Sequence, residues 1–447
     1  MALAAAFLLA ALPLAACGGS GEGRAGAAGD AGAGELVVER SKAAGVETVR
    51  NVSGSRWEGS PRLSEELAIG EETGEDAYMF GSISGAWATA DRIYVVDPQV
   101  PAVRAFDQEG NFLHQVGSVG QGPGEYLQPM ELAVTEDGRV LVTDLQGARL
   151  NMFGPDGEHI DDWPLGSPQA AVGLLLTLDG NVYTLVFEIP TEIGSGTVEL
   201  EAAMRQVGPD GHFGEAIHPP ETDWEPPTVE VEAGGNSFSM ALLPFTPRFE
   251  WVLAPGGEMI AGVGNEYRFE MHRRNGGVLV VEKAWTPVPV NRGERDFRAA
   301  MAVTDISRMA PDFSIPASDV PDHKPAFTEF FPDRNGRVWV ARQGPSEADP
   351  GCREAMGGGR MMMTLNSGGG TNVSLDPGLE SEYEGECWRN THLFDVFDLA
   401  TGELLGTVPA PEPGFTRPRF IDGDTVLASV TDARGTVRLK KYRLVIE

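Results

Sequence analysis

Short bursts of apolar residues, some alternating with polar ones at a period of two, recur along this chain and are punctuated by turn-forming pairs. Val140-Leu141-Val142-Thr143 follows Asp137-Gly138 and ends in Asp144; Leu150–Phe153 is followed by Asp156-Gly157. Such alternation marks half-buried strands, and Asp-Gly marks a hairpin because glycine readily takes the positive φ that a tight turn needs. The pattern also repeats. Thr89–Phe112 reads TADRIYVVDPQVPAVRAFDQEGNF, and Glu136–Ile160 reads EDGRVLVTDLQGARLNMFGPDGEHI. The shared frame is a turn, an apolar strand ending in Asp, a loop, Arg, a second strand ending in Phe, and a second turn. One such unit cannot bury its apolar face alone. Stacked copies can, so a strand repeat of this period predicts an all-β fold, a β-propeller.

Six copies are legible. Blade 1 is Ser82–Ala90, Ile93–Asp97, Val103–Asp107 and Phe112–Val116; blade 2 is Glu131–Thr135, Val140–Asp144, Leu150–Phe153 and His159–Trp163. Blade 3 has Gly173–Leu178 and Val182–Phe187, then a strand-poor insertion, then Met204–Val207. Blade 4 has Arg248–Leu253, Met259–Val263, Tyr267–His272 and Val278–Lys283. Blade 5 has Phe327–Phe331 and Val338–Arg342, a long excursion, then Leu393–Asp398 and Leu404–Val408. Blade 6 has Pro418–Ile421, Val426–Val430 and Val437–Leu444 and lacks a fourth strand, for which Gly45–Asn51 is the expected donor. Closing the ring this way removes exposed strand edges.

Gly117-Ser118-Val119-Gly120-Gln121-Gly122-Pro123-Gly124-Glu125-Tyr126, with Pro129 after it, resembles the linker between blades in bacterial six-bladed propellers of the NHL-like and TolB-like group, and Asp333–Val340 (DRNGRVWV) is similar to that group's later blades. The resemblance covers about residues 45–447. It implies the fold. It says little about function, because the group holds binding modules, scaffolds and several kinds of enzyme.

The N-terminus changes the picture. Met1–Cys17 reads MALAAAFLLAALPLAAC, too short an apolar run for a confident membrane span but suited to a secretory signal. Leu14-Ala15-Ala16-Cys17 resembles a bacterial lipobox, which implies that Cys17 carries lipid; no Lys or Arg precedes the run, a departure from the usual leader. Residues 18–44 open with a Gly/Ala/Ser-rich stretch and are expected to form a flexible tether, leaving residues 45–447 for the propeller. The resulting expectation is an exported, lipid-anchored envelope protein, in the outer membrane or periplasm of an organism with two membranes, touching the membrane only through lipid and otherwise monomeric. Cys352 and Cys387, the other two cysteines, flank the blade 5 excursion and read as a disulfide in an oxidising compartment. The net charge of −32 disfavours nucleic acid, which requires clustered Lys and Arg.

No GxSxG, HExxH or Walker loop is present. Asp97 and Asp144, which end the second strands of blades 1 and 2, have two readings: carboxylates for a hard cation, or structural acceptors paired with Arg104 and Arg149. Their recurrence with the repeat favours the structural one. Asn291–Met309 predicts a short helix with Asn291 and Glu294 as a capping box, packed on the rim or acting as a lid. The four methionines Met356 and Met361–Met363 stand in a glycine-rich loop. The approaches to the inner strands bring Arg248, Lys324, Arg417 and Arg419 toward one channel mouth, with Trp87 and Glu131 on the same face. Converging cations suit a carboxylate, sulfate or phosphate, although pairing with nearby acids explains them as well. The expected function is a non-catalytic binding module for a small anionic ligand or an envelope protein, with no catalytic residues, metal or cofactor. The alternative is a hydrolase or lyase dependent on Ca or Zn.

Overall fold

A computed structural model describes residues 34–447 except 167–172, 189–200, 234–235, 241–242, 305–309, 311, 350–359, 366–370, 377–384 and 433. The leader, Cys17 and Cys352 lie outside the described residues, so the lipid site and the expected Cys352–Cys387 bridge do too; Cys387 itself is buried.

Six antiparallel sheets form the blades. Blade 1 runs Gly85–Ala88, Arg92–Asp97, Ala102–Asp107 and Phe112–Gln115; blade 2 runs Pro129–Val134, Val140–Asp144, Arg149–Phe153 and His159–Pro164. Blade 3 runs Leu175–Leu176, Val182–Glu188, Glu201–Val207 and Phe213–Ile217, and blade 4 opens with Phe249–Leu253, Met259–Val263, Arg268–His272 and Val278–Lys283. Blade 5 is Glu329–Pro332, Arg337–Ala348, Trp388–Asp398 and Leu404–Pro409; blade 6 begins Pro418–Asp422, Thr425–Thr431 and Val437–Ile446. The core is divided among the seams. Phe269, Phe327, Phe330 and Phe397 pack between blades 4 and 5, while Trp339, Phe394, Phe415 and Tyr442 pack between blades 5 and 6.

The recurrent Asp is structural. The Asp97 carboxylate accepts from the backbone N–H groups of Gly81, Ser82, Gln99 and Val100, and Arg104 lies 3.6 Å away. Asp144 accepts from Leu127 and Gln128, with Arg149 at 3.5 Å. Each repeat thus ties its own strand to the incoming linker. The glycine-rich linker serves the same end: Glu125 accepts from Gly122 N–H, and the Tyr126 hydroxyl bonds Val116 and Val103.

The ring closes with a different strand from the one expected. Pro61–Ile69 pairs antiparallel with Val437–Ile446 as the fourth strand of blade 6. Its inner positions Leu63 and Ile69 are buried, and its outer acids meet bases: Glu65–Lys440 at 2.9 Å, Glu66–Lys441 at 3.5 Å, and Glu66 with Arg443. The segment around Gly45–Asn51 goes elsewhere. Val46–Ser53 pairs parallel with Val278–Lys283 and, through a hairpin with Val37–Ala43, extends blade 4 to six strands. Val37–Ala43, expected in the tether, is therefore part of a sheet. Two side chains explain the choice. Val49 is buried in the core between blades 4 and 5. Asn51 donates to the carbonyls of Glu282 and Gly402 at 3.2 and 3.0 Å and accepts from Leu404 N–H at 2.8 Å, bridging the two blades.

The insertions carry structure of their own. Val229–Ala233 and Asn236–Met240 form a hairpin between blades 3 and 4; Arg360–Leu365 and Thr371–Asp376 form another within the blade 5 excursion, so Met361–Met363 lie on a strand rather than in a loop. The helix spans Arg292–Thr304. The Asn291 side chain accepts from Glu294 N–H at 2.9 Å, the expected N-cap. The reciprocal half of the capping box does not form, because the Glu294 carboxylate is engaged by Lys324 and Ser346.

Candidate functional site

The inner strands of all six blades line one channel cavity of about 510 Å3. The first residues of these strands present charge. Glu131 comes from blade 2, Glu250 from blade 4, Glu329 from blade 5, and Arg417 and Arg419 from blade 6. Farther along, the wall is apolar: Leu174–Leu176, Leu185 and Met204 of blade 3, Val252 and Leu253 of blade 4, Phe330 of blade 5. Trp87 of blade 1 packs against Phe420 in a tilted arrangement, 4.9 Å between ring centroids, and carries the Arg334 guanidinium over its face at 5.4 Å. Blade 1 contributes little bulk beside Glu131. Gly85 sits there, and a Cβ on it would lie 3.1 Å from a Glu131 carboxylate oxygen.

The collar of charge is only partly neutralised. Arg417 pairs with Glu329 at 3.2 Å. Arg419 makes no hydrogen bond or ion pair among the described residues, although its Nε is sealed from solvent. Burial lowers the Arg419 pKa, as does neighbouring Arg417, against the pull of Glu131 and Glu329. The carboxyls shift the other way. Burial pushes Glu131 up to about 7 despite Arg419 and Arg417, and burial together with Glu329 pushes Glu250 up to about 7 despite Arg248. Burial raises Glu329 as well, opposed by Arg417 and Arg419. Near neutral pH, Glu131 and Glu250 are thus partly protonated while the arginines stay charged, so the three collar carboxyls carry less negative charge than their number suggests.

Trp87, Glu131, Arg417 and Arg419 therefore come together as the sequence suggested. Arg248 lines an adjoining cavity that shares Glu250 with the channel. Lys324 does not join them. It is buried, pairs with Glu294 at 3.0 Å, and donates to Gly344 O, Ser346 Oγ and Asn390 Oδ1 at 2.7–2.9 Å. Its Pro-flanked position resembled the arginines' positions, but the helix supplies an acid directly over it. Glu250, Glu329 and Arg334 were missed in the sequence. The first two occupy the blade 4 and blade 5 positions that correspond to Glu131, and aligning the inner strands on the turn glycines Gly138, Gly257 and Gly336, each seven residues after its glutamate, would have revealed them. Among the described residues, no three His, Cys, Asp or Glu side chains are placed to hold a metal ion.

A family model described as a 6-bladed beta-propeller matches residues 71–162. The chain is a six-bladed β-propeller. No curated protein matches it in sequence. Solved structures with a similar course include a putative exported protein from Bacteroides fragilis, with 10% identity over 86% of this chain and 95% of that one and a TM-score of 0.44. A DUF4221 family member from Bacteroides vulgatus has 11% identity over 87% and 99%, with a TM-score of 0.46. Virginiamycin B lyase from Staphylococcus aureus has 12% identity over 86% and 100%, with a TM-score of 0.36.

Proposed function

We propose that this propeller is an exported, lipid-anchored binding protein whose channel takes a small amphiphilic anion. The observation that carries the reading is Arg419, a guanidinium with its Nε sealed from water and no hydrogen-bonding partner among the described residues, set beside carboxyls that are partly protonated. A carboxylate or similar head on Arg419 and Arg417 supplies the missing acceptors. An alkyl or aryl tail then lies along Leu174–Leu176, Leu253 and Phe330. The cavity volume is in the range of small-molecule sites. Lipid on Cys17 and a Cys352–Cys387 bridge belong to the same proposal, which places the domain at the envelope.

Trp87 and Trp251 line the channel and give a fluorescence readout. Octanoate and decanoate should quench or shift this emission saturably, whereas 1-octanol and octylamine should bind at least about tenfold more weakly. Arg419→Ala should remove the preference for the carboxylates. Equal binding of octanoate and 1-octanol would overturn the reading.

An enzyme is the second reading, favoured by one observation: two channel carboxyls are held near neutrality, where general acid–base groups work best. Conversion of a bound ligand, seen by mass spectrometry and removed by Glu131→Gln with binding intact, would favour it.

A further inference from the structure

Beside the channel lies a second cavity of about 360 Å3, roofed by the helix. Arg298 and Met301 project from the helix; Thr246 and Arg248 come from the segment entering blade 4; Phe327 and Gln343 come from blade 5. Glu250 is the one lining residue it shares with the channel.

Three polar atoms on its walls, Arg298 Nε, Thr246 Oγ1 and Gln343 Oε1, are shielded from solvent and have no hydrogen-bonding partner among the described residues. Folded proteins rarely leave buried polar atoms unpaired, and three around one cavity define a set of ligand bonds. Arg298 is held in place: its Nη2 donates to Trp388 O at 3.1 Å, and the helix is pinned by the Asn291 cap and the Glu294–Lys324 pair. The Arg298 guanidinium is thus positioned before anything binds, which favours affinity.

The inventory selects a chemistry. Arg298 Nε donates only, and Arg248 at the rim adds a second cation. Gln343 Oε1 accepts only, so a plain carboxylate cannot satisfy it. Thr246 Oγ1 does either. A ligand that meets all four needs two anionic groups and a hydroxyl between them. We propose that this chamber is a separate binding site for a small hydroxydicarboxylate. The site goes beyond the channel reading and does not depend on it.

Malate and succinate differ by only the hydroxyl, so calorimetric titration of the intact protein with each tests the proposal. Malate should bind about tenfold or more tightly than succinate, the effect of one additional buried hydrogen bond. Gln343→Leu should bring the two together by weakening malate alone. Arg298→Gln should weaken both by at least about tenfold, and Thr246→Val, a milder change, should weaken malate severalfold if the helix substitution disturbs folding. Malate should bind this site with the same affinity when decanoate is present in excess, which separates it from the channel. Equal affinity for malate and succinate, no binding of either, or malate binding unaffected by both Arg298→Gln and Thr246→Val would each overturn it.

Discussion

Two groups of charge sit within this propeller and follow opposite rules. In the first, between blades 4 and 5, Asp395 is fully buried and fully bonded. Lys283 lies 3.2 Å away, Arg342 Nε donates at 3.0 Å, the Tyr267 hydroxyl at 2.7 Å and the Thr407 hydroxyl at 2.5 Å. Burial raises its pKa, but Lys283 and Arg342 outweigh that and hold it at about 2. In the second, the channel collar, Glu131 and Glu250 are raised to about 7 and Arg419 Nε has no hydrogen-bonding partner among the described residues. The saturated cluster holds blades together. The unsaturated one leaves bonding capacity for something else. Burial is common to both; what separates structure from site is whether the hydrogen-bond inventory closes.

The largest effect should come from breaking the closed cluster. Asp395→Ala removes the acid that two buried cations share and should cost about 3–5 kcal/mol in a urea titration; a loss under 1 kcal/mol would mean that the cluster is not structural. Next is a pH effect of opposite sign at the two places. Asp395 has a depressed folded-state pKa, so its stabilisation is present above 3.8 and is lost as pH falls toward 2. Glu131 has a raised one, so its penalty is absent below 4.5 and full above about 7. Glu250, Glu329, Arg417 and Arg419 surround that same channel. Glu131→Gln should therefore stabilise the protein at pH 8, by up to about 3 kcal/mol, and change little at pH 4. A stability change that does not vary with pH would show that the Glu131 carboxyl is not displaced. Asn51→Ala tests a smaller closed set and should cost about 1–3 kcal/mol, since it orphans Leu404 N–H inside the seam.

The repeat made the blades legible. Val140–Asp144 and Met259–Val263 were readable to the residue because each is a short apolar run that follows closely on an Asp-Gly or Gly-Gly turn. The closing strand was not legible. Pro61–Ile69 is acidic on its outer face, and its match with Lys440, Lys441 and Arg443 exists only when the chain ends meet. The hairpins Val229–Met240 and Arg360–Asp376 lie outside the repeat, where no second copy helps. Three of the five collar charges, Glu131, Arg417 and Arg419, could be read, with Trp87 beside them. Lys324 was misplaced because nothing local to it announces the helix residue Glu294 that it meets.

The two stitches made by the N-terminal segment also set an order in which force would undo the molecule. A pull on the N-terminus reaches the Val37–Ser53 hairpin first, at the outer edge of blade 4, and the closing strand Pro61–Ile69 only after that hairpin has peeled away. The hairpin acts as a strain relief for the ring, so a copy pulled by its N-terminal segment can yield at blade 4 while its channel stays closed.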